Sequence, residues 1–165
     1  MMKVIVITGT PGTGKTTIAR KLIKKLNFYN LDVNKIISKN KLSESYDKKR
    51  KTKIIDVNKL NKTLIFEIKN IKKTEEYDGI IIDSHLSHYL PKKYVDFCIV
   101  AKCSINELSK RLKRKRFHKE KIQENLQAEI FDICYNEAAE KKHKIIKIDT
   151  TKGFNIDDII HKLGV

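Results

Sequence analysis

Eight residues near the start of the chain, Gly9-Thr10-Pro11-Gly12-Thr13-Gly14-Lys15-Thr16, satisfy the pattern GxxxxGK[ST]. The chemistry this spacing serves is the binding of a polyphosphate. Glycines let the backbone curl so that successive N–H groups point inward at phosphate oxygens. The helix that follows adds its positive N-terminal end. The Lys15 ammonium then reaches the β- and γ-phosphates of ATP, and the Thr16 hydroxyl ligates magnesium. The motif demands a strand before it and a helix after it. Lys3 to Thr8 is a short apolar run that stops at glycine, which predicts a buried strand. From Thr16 to Leu26 the apolar residues Ile18, Ala19, Leu22, Ile23 and Leu26 recur at three- and four-residue steps, which predicts an amphipathic helix.

A second group of candidates follows Gly79-Ile80-Ile81-Ile82-Asp83. A carboxylate at the tip of a buried strand beside a P-loop holds magnesium, often through water, so Asp83 joins Thr16 as a metal candidate. His85, two residues on, is either structural or within reach of a γ-phosphate or an attacking water; the same choice at His88, His118, His143 and His161 favours structure. A third group is the basic run Arg111, Lys113, Arg114, Lys115 and Arg116. It is either a solvated face or a phosphate clamp, and charge neutralisation is the main aid a protein gives to phosphoryl transfer.

The elements that must position these groups alternate. Phe28 to Val33 reads as a second strand, Asn34 to Lys53 as a helical turn followed by a mobile basic loop, and Val57 to Lys72 as a helix. Gly79 to Asp83 and Val95 to Ala101 read as strands. Ser104, with Glu107 three residues on, has the capping-box pattern and starts a helix toward Lys113. A long helix is predicted from about Lys119 to Lys141, then a strand from Lys144 to Ile148 and a last helix from Ile156 to Leu163. Alternating strands and helices predict an α/β fold of the P-loop NTPase kind: about five parallel strands, helices on both faces, ligands at the carboxyl ends of the strands. Thr8 and Asp83 both end strands, so the two motifs should converge. With 165 residues and no Pro/Gly/Ser linker, residues 1–165 read as one domain.

Composition narrows the class further. Hydrophobic residues at 40% against 34% charged mark a chain that folds. No apolar run approaches a membrane span. The apolar start gives way to glycines and threonines too soon for a signal peptide, so a cytoplasmic protein is expected. Cys98, Cys103 and Cys134 match no zinc or redox spacing. The net charge of +16 suits an anionic partner such as a polyphosphate or RNA. The abundance of lysine, isoleucine and asparagine also follows from an A/T-rich genome.

Together these pieces resemble the atypical adenylate kinases of the isoenzyme 6 family, small nuclear and archaeal P-loop proteins also linked to small-ribosomal-subunit biogenesis. The likeness is carried by Gly9 to Thr17, by Asp83-Ser84-His85, by Arg111-Leu112-Lys113 with the basic residues after it, and by Lys121-Ile122-Gln123-Glu124-Asn125-Leu126-Gln127-Ala128-Glu129-Ile130. The last block is the most family-specific. The resemblance implies an ATP site at Gly12, Gly14, Lys15, Thr16 and Thr17. It also implies a nucleoside-monophosphate-binding segment at 30–53 and a short lid at 114–124. Asp83-Ser84-His85 falls on the family's Asp-x-His motif, tied to magnesium and hydrolysis, which makes Lys15, Asp83 and His85 the catalytic candidates. The family lid begins Arg-Gly-Tyr, and here the aligned residues are Lys115-Arg116-Phe117. The clamp cation is therefore Lys115, Arg116 or the neighbouring Arg114.

The expected reaction is MgATP plus AMP, or another nucleoside monophosphate, to two diphosphates, with accompanying ATPase activity. The alternative is a nucleotide-switched assembly factor that binds a small-subunit ribosomal protein or rRNA. A kinase for an unrelated small metabolite fits poorly with the Lys121 to Ile130 block. No membrane partner is expected, and a monomer is favoured.

Overall fold

A computed structural model describes residues 1–49 and 52–165. In chain order its elements are β1 (Lys3–Thr8), α1 (Lys15–Lys25), β2 (Phe28–Leu31), α2 (Val33–Lys39), β3 (Ser43–Asp47), β4 (Thr52–Ile55), α3 (Val57–Thr74) and β5 (Gly79–Asp83). Two single 3-10 turns, Ser87–Tyr89 and Lys92–Tyr94, lead to β6 (Phe97–Lys102), α4 (Ile105–Arg114), α5 (Lys119–Ile130), α6 (Ile133–Glu140), β7 (Ile145–Asp149) and α7 (Ile156–Leu163).

Five of the strands form one parallel sheet in the order β2-β5-β1-β6-β7. Its central strand is covered on both faces: Val4, Ile5, Val6 and Ile7 are completely buried. Strand side chains alternate between faces, and the core divides accordingly. Val4 and Val6 pack with Leu60, Leu64 and Ile68 of α3 on one side. Ile5 and Ile7 pack with Ile18 and Leu22 of α1 and Ile159 of α7 on the other. A continuous apolar strand is what a parallel sheet of this kind requires. A separate small cluster joins Leu108 and Leu112 of α4 to Phe117, and to Ile122 and Leu126 of α5.

Two expectations are corrected. The segment read as a helical turn and mobile loop folds into α2, capped by the Asp32 carboxylate accepting from the Lys35 N–H, and into an antiparallel hairpin of β3 and β4. Residues 50 and 51 of the expected loop lie outside the described residues. The hairpin strand Ser-Glu-Ser-Tyr-Asp is too polar to announce itself, because it rests on backbone pairing more than on burial. The single long helix from Lys119 to Lys141 breaks into α5 and α6. Asp132, at the break, takes a left-handed φ of 56° while Lys102 holds its carboxylate. Helical periodicity continues across such a break and hides it from the sequence.

Candidate active site

Residues 9–14 loop from the end of β1 to the start of α1, carrying the phosphate-binding pattern across the carboxyl end of the sheet. Gly12 is held at φ 90°, and a Cβ there would come within 3.0 Å of both Leu108 and Leu112, so α4 packs directly on the loop. Gly14, at φ 99°, starts α1 from a conformation that side chains resist. Lys15 is half-buried. Its ammonium donates to the carbonyls of Gly9 (2.9 Å) and Thr10 (3.2 Å). Burial lowers its pKa, and the nearby Asp83 carboxylate works against that shift.

Asp83 reaches the same place from β5. The register pairs Ile7 with Asp83, so the carboxylate stands beside the strand that feeds the loop. The Thr16 hydroxyl donates to Asp83 Oδ2 at 2.7 Å. The two magnesium candidates, 67 residues apart in sequence, are in contact. Their donor set is oxygen only, as a hard divalent cation prefers. Among the described residues no group of three or more His, Cys, Asp or Glu could hold a metal. A cation at Thr16 and Asp83 would therefore complete its shell with phosphate and water oxygens, which is how magnesium is commonly held.

Two open cavities meet at this point. One, of about 520 Å³, lies between the loop and α4; Lys15, Thr16 and Thr17 line one wall, Arg111, Arg114 and Lys115 the other, with Gly153 and Phe154 at the edge. The second, of about 660 Å³, also includes Lys15 and Thr16. Asp83 and His85 form its floor, and Asn34 and Ser38 of α2 with Tyr46 and Lys53 of the hairpin form its far side. The segment 30–53 thus walls the second cavity, and the basic run after Lys110 walls the first.

His85 stands in the second cavity with its surface still open to solvent. The protein around it displaces bulk water, and the nearby cations Lys15 and Lys121 add positive charge, pushing its pKa down to about 4. It is a neutral imidazole at neutral pH. His88 is different: it is 1% exposed, with Nδ1 2.6 Å from the Thr8 hydroxyl and Nε2 2.8 Å from Glu137 Oε2. A carboxylate only accepts, so Nε2 donates to Glu137 and the neutral ring accepts from Thr8 through Nδ1. Glu137 also accepts from the Tyr89 hydroxyl at 2.9 Å. His143 Nε2 lies 2.8 Å from the His88 carbonyl. These two histidines brace the sheet end beneath the loop.

The basic run divides by position. Arg111 is engaged as a brace, with Nε on Glu107 (3.0 Å) and its other nitrogens on the Thr150 hydroxyl (3.0 Å) and carbonyl (2.7 Å). Arg114 and Lys115 line the first cavity, whereas Arg116 is not among its lining residues and sits in a left-handed turn at φ 56°. Gly12, Gly14, Lys15, Thr16, Thr17, Asp83, His85 and Lys115 therefore converge, and Arg116 stands apart.

Sequence reasoning missed three supporting residues. Thr150, after β7, donates to the Thr13 carbonyl at 2.5 Å and accepts from Arg111. Thr10 is buried and donates to Glu129 Oε2 at 2.7 Å. Glu129 is buried and paired with Lys102 at 2.8 Å. The available signal was an acidic residue on an otherwise apolar line of α5, since a carboxylate is rarely buried unless paired.

A family model described as "AAA domain" matches residues 5–132. A protein of Methanocaldococcus jannaschii named "Putative adenylate kinase" is 37% identical, over 96% of this chain and 82% of its own length. The "Adenylate kinase isoenzyme 6 homolog" of Caenorhabditis elegans is 30% identical, over 96% of this chain and 78% of its own. Among solved structures, deoxyadenosine kinase from M. mycoides with bound dATP superposes with a TM-score of 0.57, covering 99% of this chain and all of that one at 18% identity. Thymidylate kinase from Candida albicans superposes with a TM-score of 0.56 at 17% identity, over 99% and 89% of the two chains. The fold is that of P-loop nucleoside and nucleotide kinases.

Proposed function

Because the chain belongs to the family of small adenylate kinases that includes adenylate kinase isoenzyme 6, we propose that it transfers the terminal phosphoryl group of MgATP to AMP, giving two ADP. One observation carries this reading: two cavities share Lys15 and Thr16 and extend from them in different directions. A donor nucleotide in the cavity beside α4 and an acceptor monophosphate in the cavity beside the hairpin would then face each other across the Lys15 ammonium.

The monophosphate already carries oxyanions near neutral pH, so its attack requires no general base, and what the chain must supply is alignment and charge. The loop N–H groups and the start of α1 cradle the donor phosphates. Lys15 leaves its two carbonyl partners for the phosphate oxygens. Arg114 and Lys115 approach from α4. Magnesium held at Thr16 and Asp83 would neutralise charge on the β- and γ-phosphate oxygens. On the acceptor side, Lys53 supplies a cation and Asn34 and Ser38 supply polar groups for the nucleotide.

ATP hydrolysis accompanies transfer in this reading. Closing a lid excludes water from such reactions. Here only residues 115–118 join α4 to α5, a cover too short to exclude it fully. The neutral His85 ring, beside Asp83, is placed to accept a hydrogen bond from an attacking water. The second reading, a nucleotide-switched assembly factor for a ribosomal protein or rRNA, is favoured by the +16 charge and by exposed lysines such as Lys24, Lys69 and Lys72.

The deciding experiment incubates purified protein with MgATP, alone and with each nucleoside monophosphate, and measures ADP and free phosphate separately, with Lys15→Ala as control. ADP formation that depends on AMP and vanishes in Lys15→Ala supports the kinase. Phosphate release indifferent to every monophosphate removes the kinase reading. RNA binding that weakens steeply with salt and changes with a non-hydrolysable ATP analogue supports the second reading.

A further inference from the structure

The P-loop is gripped from both helices that carry the lid. On one side, α4 packs Leu108 and Leu112 against Gly12, and Arg111 ties Thr150 to the loop. On the other, α5 extends Glu129 to the loop through one buried hydrogen bond. Glu129 Oε2 accepts from the Thr10 hydroxyl at 2.7 Å, while Oε1 accepts from the Cys103 N–H at 3.2 Å and pairs with Lys102 at 2.8 Å. The carbonyl of the same Thr10 accepts from the Thr13 N–H (3.2 Å), the Thr13 hydroxyl (2.7 Å) and the Lys15 ammonium (3.2 Å). A short chain of contacts therefore runs from α5 through Thr10 to the lysine that meets phosphate. The other end of α5 begins at Lys119, inside the expected lid segment 114–124. At 1.5 Å per residue that end lies about 15 Å from Glu129 along one rigid helix.

We propose that Glu129 is a positioning residue for phosphoryl transfer: through Thr10 it fixes the shape of the P-loop that aims Lys15, and it couples that shape to the lid helix. The assignment rests on the reading of the P-loop cleft as a nucleotide site. A buried carboxylate needs a charge partner, and Lys102, which it shares with Asp132, meets its other oxygen. The oxygen turned toward Thr10 is therefore committed to the loop, where a hydrogen bond to an ionised group is about twice as strong as a neutral one.

The test uses Thr10→Val, which puts a methyl in place of the hydroxyl and leaves the residues of the Glu129–Lys102 pair and the Cys103 contact unaltered. Thr10→Ser, which keeps the hydroxyl, is the rescue. Affinity for a Mg-bound ATP analogue, kcat for ADP formation and Tm are measured on the full chain. Thr10→Val is expected to weaken affinity and lower kcat by about tenfold, since small misplacements of reacting groups are costly. Thr10→Ser should stay within about twofold of the unmodified protein by the same argument. In a Glu129→Gln background the Thr10→Val effect should shrink by about threefold or more, because contacting residues are not additive. A Thr10→Val protein that binds and turns over like Thr10→Ser overturns the proposal, as does full additivity with Glu129→Gln. Should the unmodified chain bind the analogue but make no ADP with any monophosphate, the kinase reading fails and the affinity series still decides the role of Glu129. A chain that does not bind the analogue at all sinks both.

Discussion

Thr16 donates its hydroxyl proton to Asp83 Oδ2 at 2.7 Å, linking the first turn of α1 to the end of β5. Both groups are oxygen donors at the point where the two cavities meet. The bond holds the two oxygens side by side, close enough to share one cation. Asp83→Asn keeps the shape and the acceptor oxygen but removes the charge. Transfer and hydrolysis should fall together, by about 10²-fold, the scale for deleting one preorganised electrostatic contact. A magnesium titration should shift to higher concentration in the variant. Unchanged magnesium dependence would remove Asp83 from the metal site.

His85 separates the two reactions. Only hydrolysis needs a water held in line, so His85→Ala should lower phosphate release by about tenfold, less than the roughly 10²-fold or more of a general acid or base because the ring only positions the water. AMP phosphorylation should be much less affected. The ring is held near a pKa of 4, so the hydrolysis rate should show no limb near the ordinary histidine value. Equal losses in both reactions would end the water-positioning role.

The same shifts predict acid sensitivity. His85 is pushed from 6.5 to about 4, and burial also holds His88 and His143 below the ordinary histidine value. An unfolded chain binds protons on all three as pH falls below about 6.5 while the folded chain refuses them. Stability is then fully present above 6.5 and is lost as pH falls from there toward 4. Tm should be lower at pH 5 than at pH 7.5, and His88→Gln, which removes one refused proton, should narrow the gap. The His85 share is reduced by its solvent contact. A Tm that does not change between the two pH values would show that these rings accept protons without cost.

How much of this was readable in advance follows from the period of each signal. The apolar runs of β1, β5 and β6 are continuous because both sheet faces are covered, so the strands, their parallel arrangement and the convergence of the ends of β1 and β5 could be expected. The hairpin could not, because Ser43 to Asp47 buries little and its register depends on backbone pairing. The break at Asp132 was hidden because the partner of its carboxylate, Lys102, is on another element. Glu129 and Thr150 were missed for the same reason: each acts across a contact between distant segments. The convergence of Lys15, Thr16 and Asp83 was legible because their positions follow from local spacing at the ends of β1 and β5.

The lid offers the sharpest division between neighbours. Lys115 lines the cavity beside α4, and Arg116 occupies a left-handed turn at φ 56°. A side chain in that conformation costs about 1–2 kcal/mol relative to glycine, while glycine loses about 0.4–1 kcal/mol through the freedom it adds to the unfolded chain. The two nearly offset, so Arg116→Gly should leave Tm within a few degrees and, away from the phosphates, leave kcat and the KM for ATP within about threefold, as expected for a residue outside the reacting geometry. Lys115→Met keeps the stem and deletes the charge. It should lower kcat/KM for ATP by about tenfold or more, the size of a partly solvated charge on a transferring phosphoryl group. If the large loss appears in Arg116→Gly instead, the turn must swing its guanidinium inward on closure, and the phosphate contact belongs to Arg116.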